Sequence, residues 1–158
     1  MNTNIKALMK PDLKERGTME FPGIDKFCDE KGKPIPFIIR RMSSKEVKEI
    51  RDMYRSTSVF RDKTNNSRPI IGNNGQVAVL KDYDAEKAGA DIMVSAFVQP
   101  KLDDPELMEY YGVDDRLDMP DVIFADRKDY EYANECLMEA LGIREQKDEK
   151  EIIGEVKN

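Results

Sequence analysis

The stretch 24–54 constrains the fold more than any other part of the chain, because its hydrophobic period changes from that of a strand to that of a helix. Residues 24–28 are interpreted as a strand, and residues 34–42 supply an apolar return strand after a turn. Ser43 and Glu46 then match the S-x-x-E capping box, in which a hydroxyl and a carboxylate each bind a free amide at the start of a helix. The stretch therefore predicts a β-hairpin followed directly by a helix.

Helical spacing and breaker residues divide the rest of the chain. Helices are predicted over 44–56, from Asp82 or Asp84 to Pro100, over 105–111 and from Asp126 or Asp129 to Leu141, with a helix or turn at 120–124. The breaker-rich segment 61–75 is predicted to be a mobile loop, with short strands at 69–71 and 77–80. These patterns predict a mainly helical α+β domain, in which an N-terminal β-hairpin is followed by about four helices.

The domain limits follow from composition. Residues 19–143 form one predicted domain, preceded by a flexible segment over 1–18. Residues 144–158 are dominated by charged side chains, so we predict a disordered tail that contributes little to folding.

The two halves of the chain carry opposite charge. Residues 1–80 hold 16 Lys and Arg against 10 Asp and Glu, whereas residues 81–158 hold 10 against 22. The front half is therefore at +6 and the back half at −12, which gives the net charge of −6. Such a split predicts either neutralisation within one fold or head-to-tail contact between copies, that is, a homo-oligomer.

The residue types argue against most catalytic and cofactor classes. Histidine is absent, which removes the commonest general base and metal ligand. Cys28 and Cys136 are too far apart for a redox motif, and the sequence has no glycine-rich phosphate loop. No apolar run approaches membrane-spanning length. We therefore predict a cytosolic protein that is not an enzyme, binds no cofactor or metal and contacts no membrane.

Basic side chains concentrate at Arg40, Arg41, Arg51 and Arg55, with the last two spaced as i, i+4 on the predicted first helix. A solvated face paired with neighbouring acidic residues is the favoured interpretation. A protein-binding patch ranks second. Nucleic-acid binding ranks third, since the chain is acidic overall and no aromatic residues are interleaved with the arginines.

Methionine and aromatic side chains at Met93, Phe97, Tyr110 and Tyr111 are further candidates for partner contact, since methionine-bearing helical surfaces adapt to several partners. Core packing is the ordinary interpretation for most of them. Tyr110 and Tyr111 are adjacent on a short predicted helix, so both cannot face one core, and one is expected to be partly exposed.

Two segments carry a resemblance to a known family. They are "DKFCDEKGKPIPFIIRRMSSKEVKEIR" and "DIMVSAFVQPKLDDPELMEYYGV", with a Pro-x-Pro-Phe strand entry, a Ser-capped helix and a Glu-Leu-x-x-x-Tyr-Gly-Val signature. In their order and spacing they resemble the XkdN-like tail assembly chaperones of contractile-tailed phages and defective prophages. The resemblance covers residues 19–143, and the insertion at 65–76 departs from the family's pattern.

The resemblance implies a protein that binds the tape measure protein, assists assembly of the tail tube protein in the host cytoplasm and is absent from the finished virion. Two alternatives from other classes stay open on the residues alone. One is a small metal-dependent enzyme using paired carboxylates such as Asp103 and Asp104. The other is a nucleic-acid-binding adaptor using the arginine patch.

Overall fold

The computed structural model describes residues 3–10 and 16–143. These contain six α-helices, seven strands in three sheets, and a 3₁₀ turn at Arg116–Asp118. The helices are α1 (Thr3–Leu8), α2 (Ser44–Met53), α3 (Ala85–Ala96), α4 (Pro105–Tyr111), α5 (Met119–Ile123) and α6 (Arg127–Leu141). The strands are β1 (Thr18–Phe21), β2 (Phe37–Arg40), β3 (Arg55–Val59), β4 (Arg61–Asp62), β5 (Arg68–Pro69), β6 (Val79–Tyr83) and β7 (Phe97–Gln99).

A three-stranded antiparallel sheet in the order β1-β2-β7 organises the body of the molecule. In β2, Phe37 and Ile39 are buried while Ile38 and Arg40 are half-buried, as expected of a central strand with one face on the core. The rings of Phe97 and Phe124 meet Phe37 edge-on, with centroids 5.5 and 5.7 Å away. Helices α3 and α6 complete this core with Met93 and Leu137.

Side-chain caps set the starts of the helices. The Ser43 hydroxyl accepts a hydrogen bond from the Glu46 amide at 3.1 Å, which confirms the predicted cap of α2. The other half of the predicted capping box is not formed in the described residues, because the Glu46 carboxylate accepts from Arg40 at 2.9 Å instead of from an amide at the helix start. Asp84 caps α3 and Asp104 caps α4 in the same manner as Ser43, as the sequence predicts. Gly112 ends α4 in a left-handed conformation, which only glycine adopts at little cost.

The predicted pairing of 24–28 with 34–42 is wrong in extent, because within the described residues it is limited to one antiparallel bridge between Cys28 and Pro34 and its two flanking backbone bonds. The Asp29 carboxylate holds a tight turn by accepting from the amides of Lys31 and Lys33. The pairing ends there because the Phe27 amide donates to the Ile24 carbonyl at 3.2 Å in a local turn, instead of donating to the carbonyl of Ile35. Strand β2 pairs with β1 and β7 instead.

The expectation of a mainly helical domain with one hairpin and about four helices is also wrong. Seven strands are present in the described ranges, and four of them lie in residues 55–83, which we call the arm. The sequence interpretation divided this segment between the end of one helix, a loop and the start of another. Helix α2 stops at Met53, since Ser56, Thr57, Ser58 and Val59 favour an extended chain.

The arm is a two-stranded stem that branches. Strands β3 and β6 pair antiparallel from Arg55 opposite Tyr83 to Val59 opposite Val79. Beyond the stem, three backbone bonds close a junction: Phe60 N donates to Ala78 O, Ala78 N to Ile70 O and Ile70 N to Phe60 O, at 3.0, 2.7 and 2.8 Å. One lobe then holds the β4–β5 pair, and the other holds a bridge between Ile71 and Val77. The predicted strands at 69–71 and 77–80 therefore meet only at this bridge and junction.

Candidate functional site

An apolar groove runs between α3 and α6 and encloses about 240 Å³. Ile92 and Leu137 are almost completely buried at its floor. Its walls carry Ala85, Gly89, Met138, Leu141 and Ile143, and its polar lining is Arg51, Tyr83 and Asn134. The groove is smaller than the roughly 300–1,000 Å³ typical of a site for a drug-sized molecule. Its size and apolar lining suit one or two large side chains of a protein partner.

The groove exists because α3 presents small residues where α6 presents large ones. Ala85 and Gly89 are four positions apart, so they share one face of α3. A Cβ atom built at Gly89 meets no atom within 4 Å, so the space directly above this position is open. On α6, Leu137 and Leu141 are likewise one turn apart, and Gly142 (φ 71°) turns the chain so that Ile143 reaches the groove.

A buried polar cluster holds α3 in place behind the groove. Asp91 is 5% exposed and accepts hydrogen bonds from Tyr54 Oη at 2.6 Å, Ser95 Oγ at 3.0 Å and Arg116 Nη1 at 2.8 Å. The cluster thereby joins the end of α2, the second half of α3 and the 3₁₀ turn.

The electrostatics of this cluster favour the ionised carboxylate. Burial opposes ionisation of Asp91, but the bonds from Tyr54, Arg116 and Ser95 and the charge of Arg116 outweigh it, so the pKa of Asp91 is lowered. The hydrogen bond to Asp91, together with burial, raises the pKa of Tyr54 to about 12. Tyr54 therefore remains a donor at every physiological pH.

The structure separates the predicted arginines into three places. Arg40 and Arg41 border a surface pocket of about 380 Å³ together with Arg16. Arg51 lies at the groove, and no salt bridge within the described residues includes it. Arg55 lies in β3, so the predicted i, i+4 pair of Arg51 and Arg55 on one helix face is wrong.

The favoured interpretation of the arginines as a solvated, paired face is confirmed for two of them. Arg40 pairs with Glu46 at 2.9 Å and Arg55 with Asp52 at 3.2 Å, and all four side chains are at least 40% exposed. Arg55 also lies over the ring of Tyr83, 4.3 Å from its centroid, at the base of the arm.

The methionine and aromatic candidates divide into core and surface. Met93 and Phe97 are 1% and 3% exposed, so they pack in the core and offer no surface to a partner in this fold. Tyr110 and Tyr111 are 82% and 37% exposed, and their rings meet edge-on with centroids 5.0 Å apart. Both tyrosines are thus available on the surface of α4, where the sequence predicted exposure for one.

Metal and membrane features give two further observations. Across residues 3–10 and 16–143, no group of three or more Asp, Glu or Cys side chains has an arrangement that could hold a metal ion. In the same ranges no helix has the length and apolar character needed to cross a bilayer.

Comparison with known proteins identifies the family. The model of the family described as "Phage XkdN-like tail assembly chaperone protein, TAC" matches residues 5–157, nearly the whole chain. The chain belongs to this family. It is a phage tail assembly chaperone, so the groove and the exposed surfaces are those of a protein whose role is to bind other proteins during tail assembly.

The fold of this chaperone is similar to one solved by crystallography. The protein YqbN, whose crystal structure is known, is 19% identical in sequence to this chain. The two structures superpose with a TM-score of 0.59, over 80% of this chain and 86% of YqbN. At this identity the likeness establishes the fold alone. Among curated proteins the search found no match to the chain.

Sequence reasoning missed the main surface features of the chaperone. It predicted α3 as a helix but did not use the small residues at Ala85 and Gly89, which were the available signal for a groove. It assigned residues 61–75 to a loop, and so missed the apolar side chains that the arm presents to solvent.

Proposed function

We propose that this chaperone binds the tape measure protein by receiving an apolar stripe of that long helical partner in the groove between α3 and α6. Membership of the tail assembly chaperone family is the observation that carries the proposal. The protein acts in the bacterial cytoplasm, keeps the partner soluble until tail tube subunits replace it, and is absent from the finished virion. Mass spectrometry of purified virions checks that last point.

The lining of the groove defines the partner's chemistry. An amphipathic helix binds a groove through apolar anchors spaced three or four residues apart. The apolar walls at Gly89, Met138 and Leu141 suit such anchors, and Arg51 adds one cation at the edge. We therefore expect a partner helix with large apolar residues on one face and an Asp or Glu beside them.

Gly89 allows a test that blocks the groove without disturbing the core. In Gly89→Leu the new Cβ atom meets no neighbour within 4 Å, and we expect the rest of the side chain to occupy the groove volume meant for the partner. We expect this variant to fold and to lose at least tenfold in affinity for the co-expressed tape measure protein, measured by pull-down and titration calorimetry. Replacing glycine within a helix also removes about 0.5–1 kcal/mol of conformational cost.

The matched control is Gly89→Ala, which gains the same helix propensity but adds only a methyl group. It should bind as the native chain does and melt at the same or a higher temperature. Equal binding by both variants, with both folded, would exclude the groove as the binding site.

A further inference from the structure

The arm exposes seven large apolar side chains to solvent. Large apolar residues on it are 38–66% exposed, and they are Val59, Phe60, Ile70, Ile71, Val77, Val79 and Leu80. Antiparallel pairing places Val59 and Val79 on one face of the stem, and places Leu80 on the other face with Ser58. Both faces of the stem therefore carry apolar side chains in contact with water.

The arm does not fold back on its own body. Among the described residues, the extensive contacts of β3, β4, β5 and β6 are with one another and not with the helices or the main sheet. A two-stranded hairpin is only marginally stable in water, and stability normally requires a third strand or a packed face. A surface outside the arm must therefore cover these apolar side chains.

The charge of the arm indicates what covers it. Residues 55–83 hold five Lys and Arg against two Asp, a net charge of +3. Lys63 and Arg68 take part in no salt bridge among the described residues, and Arg61 binds only the Ser67 carbonyl within its own lobe. A partner surface that is acidic and contains apolar rings would complement both features.

The chain itself carries such a surface, which we call the acidic face, at residues 103–118. This segment holds seven Asp and Glu against Arg116, a net charge of −6. The two exposed tyrosines of α4 lie in it, beside an open depression of about 500 Å³ lined by Asp104, Glu106 and Tyr110 among others. No salt bridge within the described residues involves Glu106 or Glu109.

We propose that the arm of one copy docks on the acidic face of a second copy. The arm's apolar residues would cover Tyr110 and Tyr111, while Arg61, Lys63 and Arg68 approach Glu106 and Glu109. The two surfaces differ, so the contact is heterologous, and it continues into a ring or an open assembly. This inference is independent of the tape measure proposal, because it concerns the purified chain alone.

A pair of charge-reversed variants tests this contact. One reverses the arm (Arg61→Glu with Arg68→Glu), and the other reverses the acidic face (Glu106→Lys with Glu109→Lys). Each variant alone then places like charges opposite each other at the reversed positions, whereas a mixture of the two restores opposite charges at those positions. By analytical ultracentrifugation we expect association to weaken at least tenfold in each variant alone and to return in the mixture.

The control reverses two exposed lysines outside both surfaces, Lys45→Glu with Lys48→Glu, and changes the net charge as much as the arm variant does. It should associate as the native chain does. A native chain that stays monomeric into the millimolar range would overturn the proposal. Self-association that survives both reversals, or a mixture that stays as weak as its components, would overturn it equally.

Discussion

At the scale of single residues, the Asp91 cluster explains how one buried carboxylate can be kept in the core. A buried charge without partners is costly, but Asp91 accepts from three side chains, one of which is cationic. The groove depends on this cluster, because Asp91 lies on α3 between Gly89 and Ile92 and fixes the helix against its neighbours.

Removing the charge of Asp91 should destabilise the fold. Asp91→Asn leaves the Arg116 guanidinium, which is 38% exposed, with only the more distant Asp103 carboxylate at 3.9 Å, so we expect a loss of about 2–3 kcal/mol in the free energy of unfolding at pH 7. Urea denaturation measures it. Tyr54→Phe, which removes one hydrogen bond and no charge, is the control and should cost about 1 kcal/mol.

The same cluster predicts a pH dependence. Because the folded pKa of Asp91 is lowered, its contribution is fully present above the unfolded value of 3.8 and is lost as the pH falls through the folded value. The difference in stability between the native chain and Asp91→Asn should therefore shrink below about pH 4. A difference that stays constant from pH 7 to pH 3 would show that the carboxylate's charge is not what stabilises the cluster.

At the scale of elements, the body and the arm are stabilised by different interactions. In the body, caps at Ser43, Asp84 and Asp104 fix where helices start, and a sheet centred on β2 gathers them around one core. The arm has local pairing but no covered face, so its order depends on hydrogen bonds at the stem and junction.

Excising the arm should leave the body folded. Joining Ser56 to Asp82 through an Asn-Gly turn keeps the base of the stem, since these residues face each other in the ladder. We expect a shift of less than about 4 °C in the thermal midpoint, equivalent to about 1 kcal/mol, because the body loses no extensive contact. A larger fall would show that the arm packs on the body and contradict the separation described here.

Much of the body was predictable from local signals, and the arm was not. Capping residues, helical spacing and the glycines at 112 and 142 predict α2, α4 and α6 to within a few residues, because these signals act over one or two turns. The partner of β2 was mispredicted, since choosing β1 over 24–28 depends on tertiary pairing, which local sequence patterns do not specify. The arm combines Ser, Thr, Gly and Asn with isolated apolar residues, a composition shared by loops and exposed strands.

The site was predictable only in part. Exposure of one of Tyr110 and Tyr111 was predicted from their adjacency on a short helix, and both are exposed. Arg51 was singled out in the sequence as one of several clustered arginines. Its position at the groove depends on Gly89 and Leu141, which are distant in sequence. The groove forms where α3 has small residues opposite the large residues of α6. The sequence pattern of a single helix does not indicate which residues of another helix face its small residues.

At the scale of the whole molecule, the two surfaces that we propose for binding differ in their chemistry. The groove is apolar with a single cation beside it, whereas the arm and the acidic face are complementary in charge. The opposite charges of the two halves of the sequence therefore need not be neutralised within one copy. A protein of this kind can hold a helix in its groove while adjacent copies meet through arm and face, which suits an elongated partner.

Hydrogen–deuterium exchange on the complex with the tape measure protein tests the central claim most directly. Relative to the free chaperone, we expect the complex to show slower exchange in residues 85–92 of α3 and in residues 134–143 at the end of α6, which line the groove. We expect no such change in the Gly89→Leu variant mixed with the same partner. Protection confined to other surfaces, with exchange at α3 and α6 unchanged, would contradict this claim.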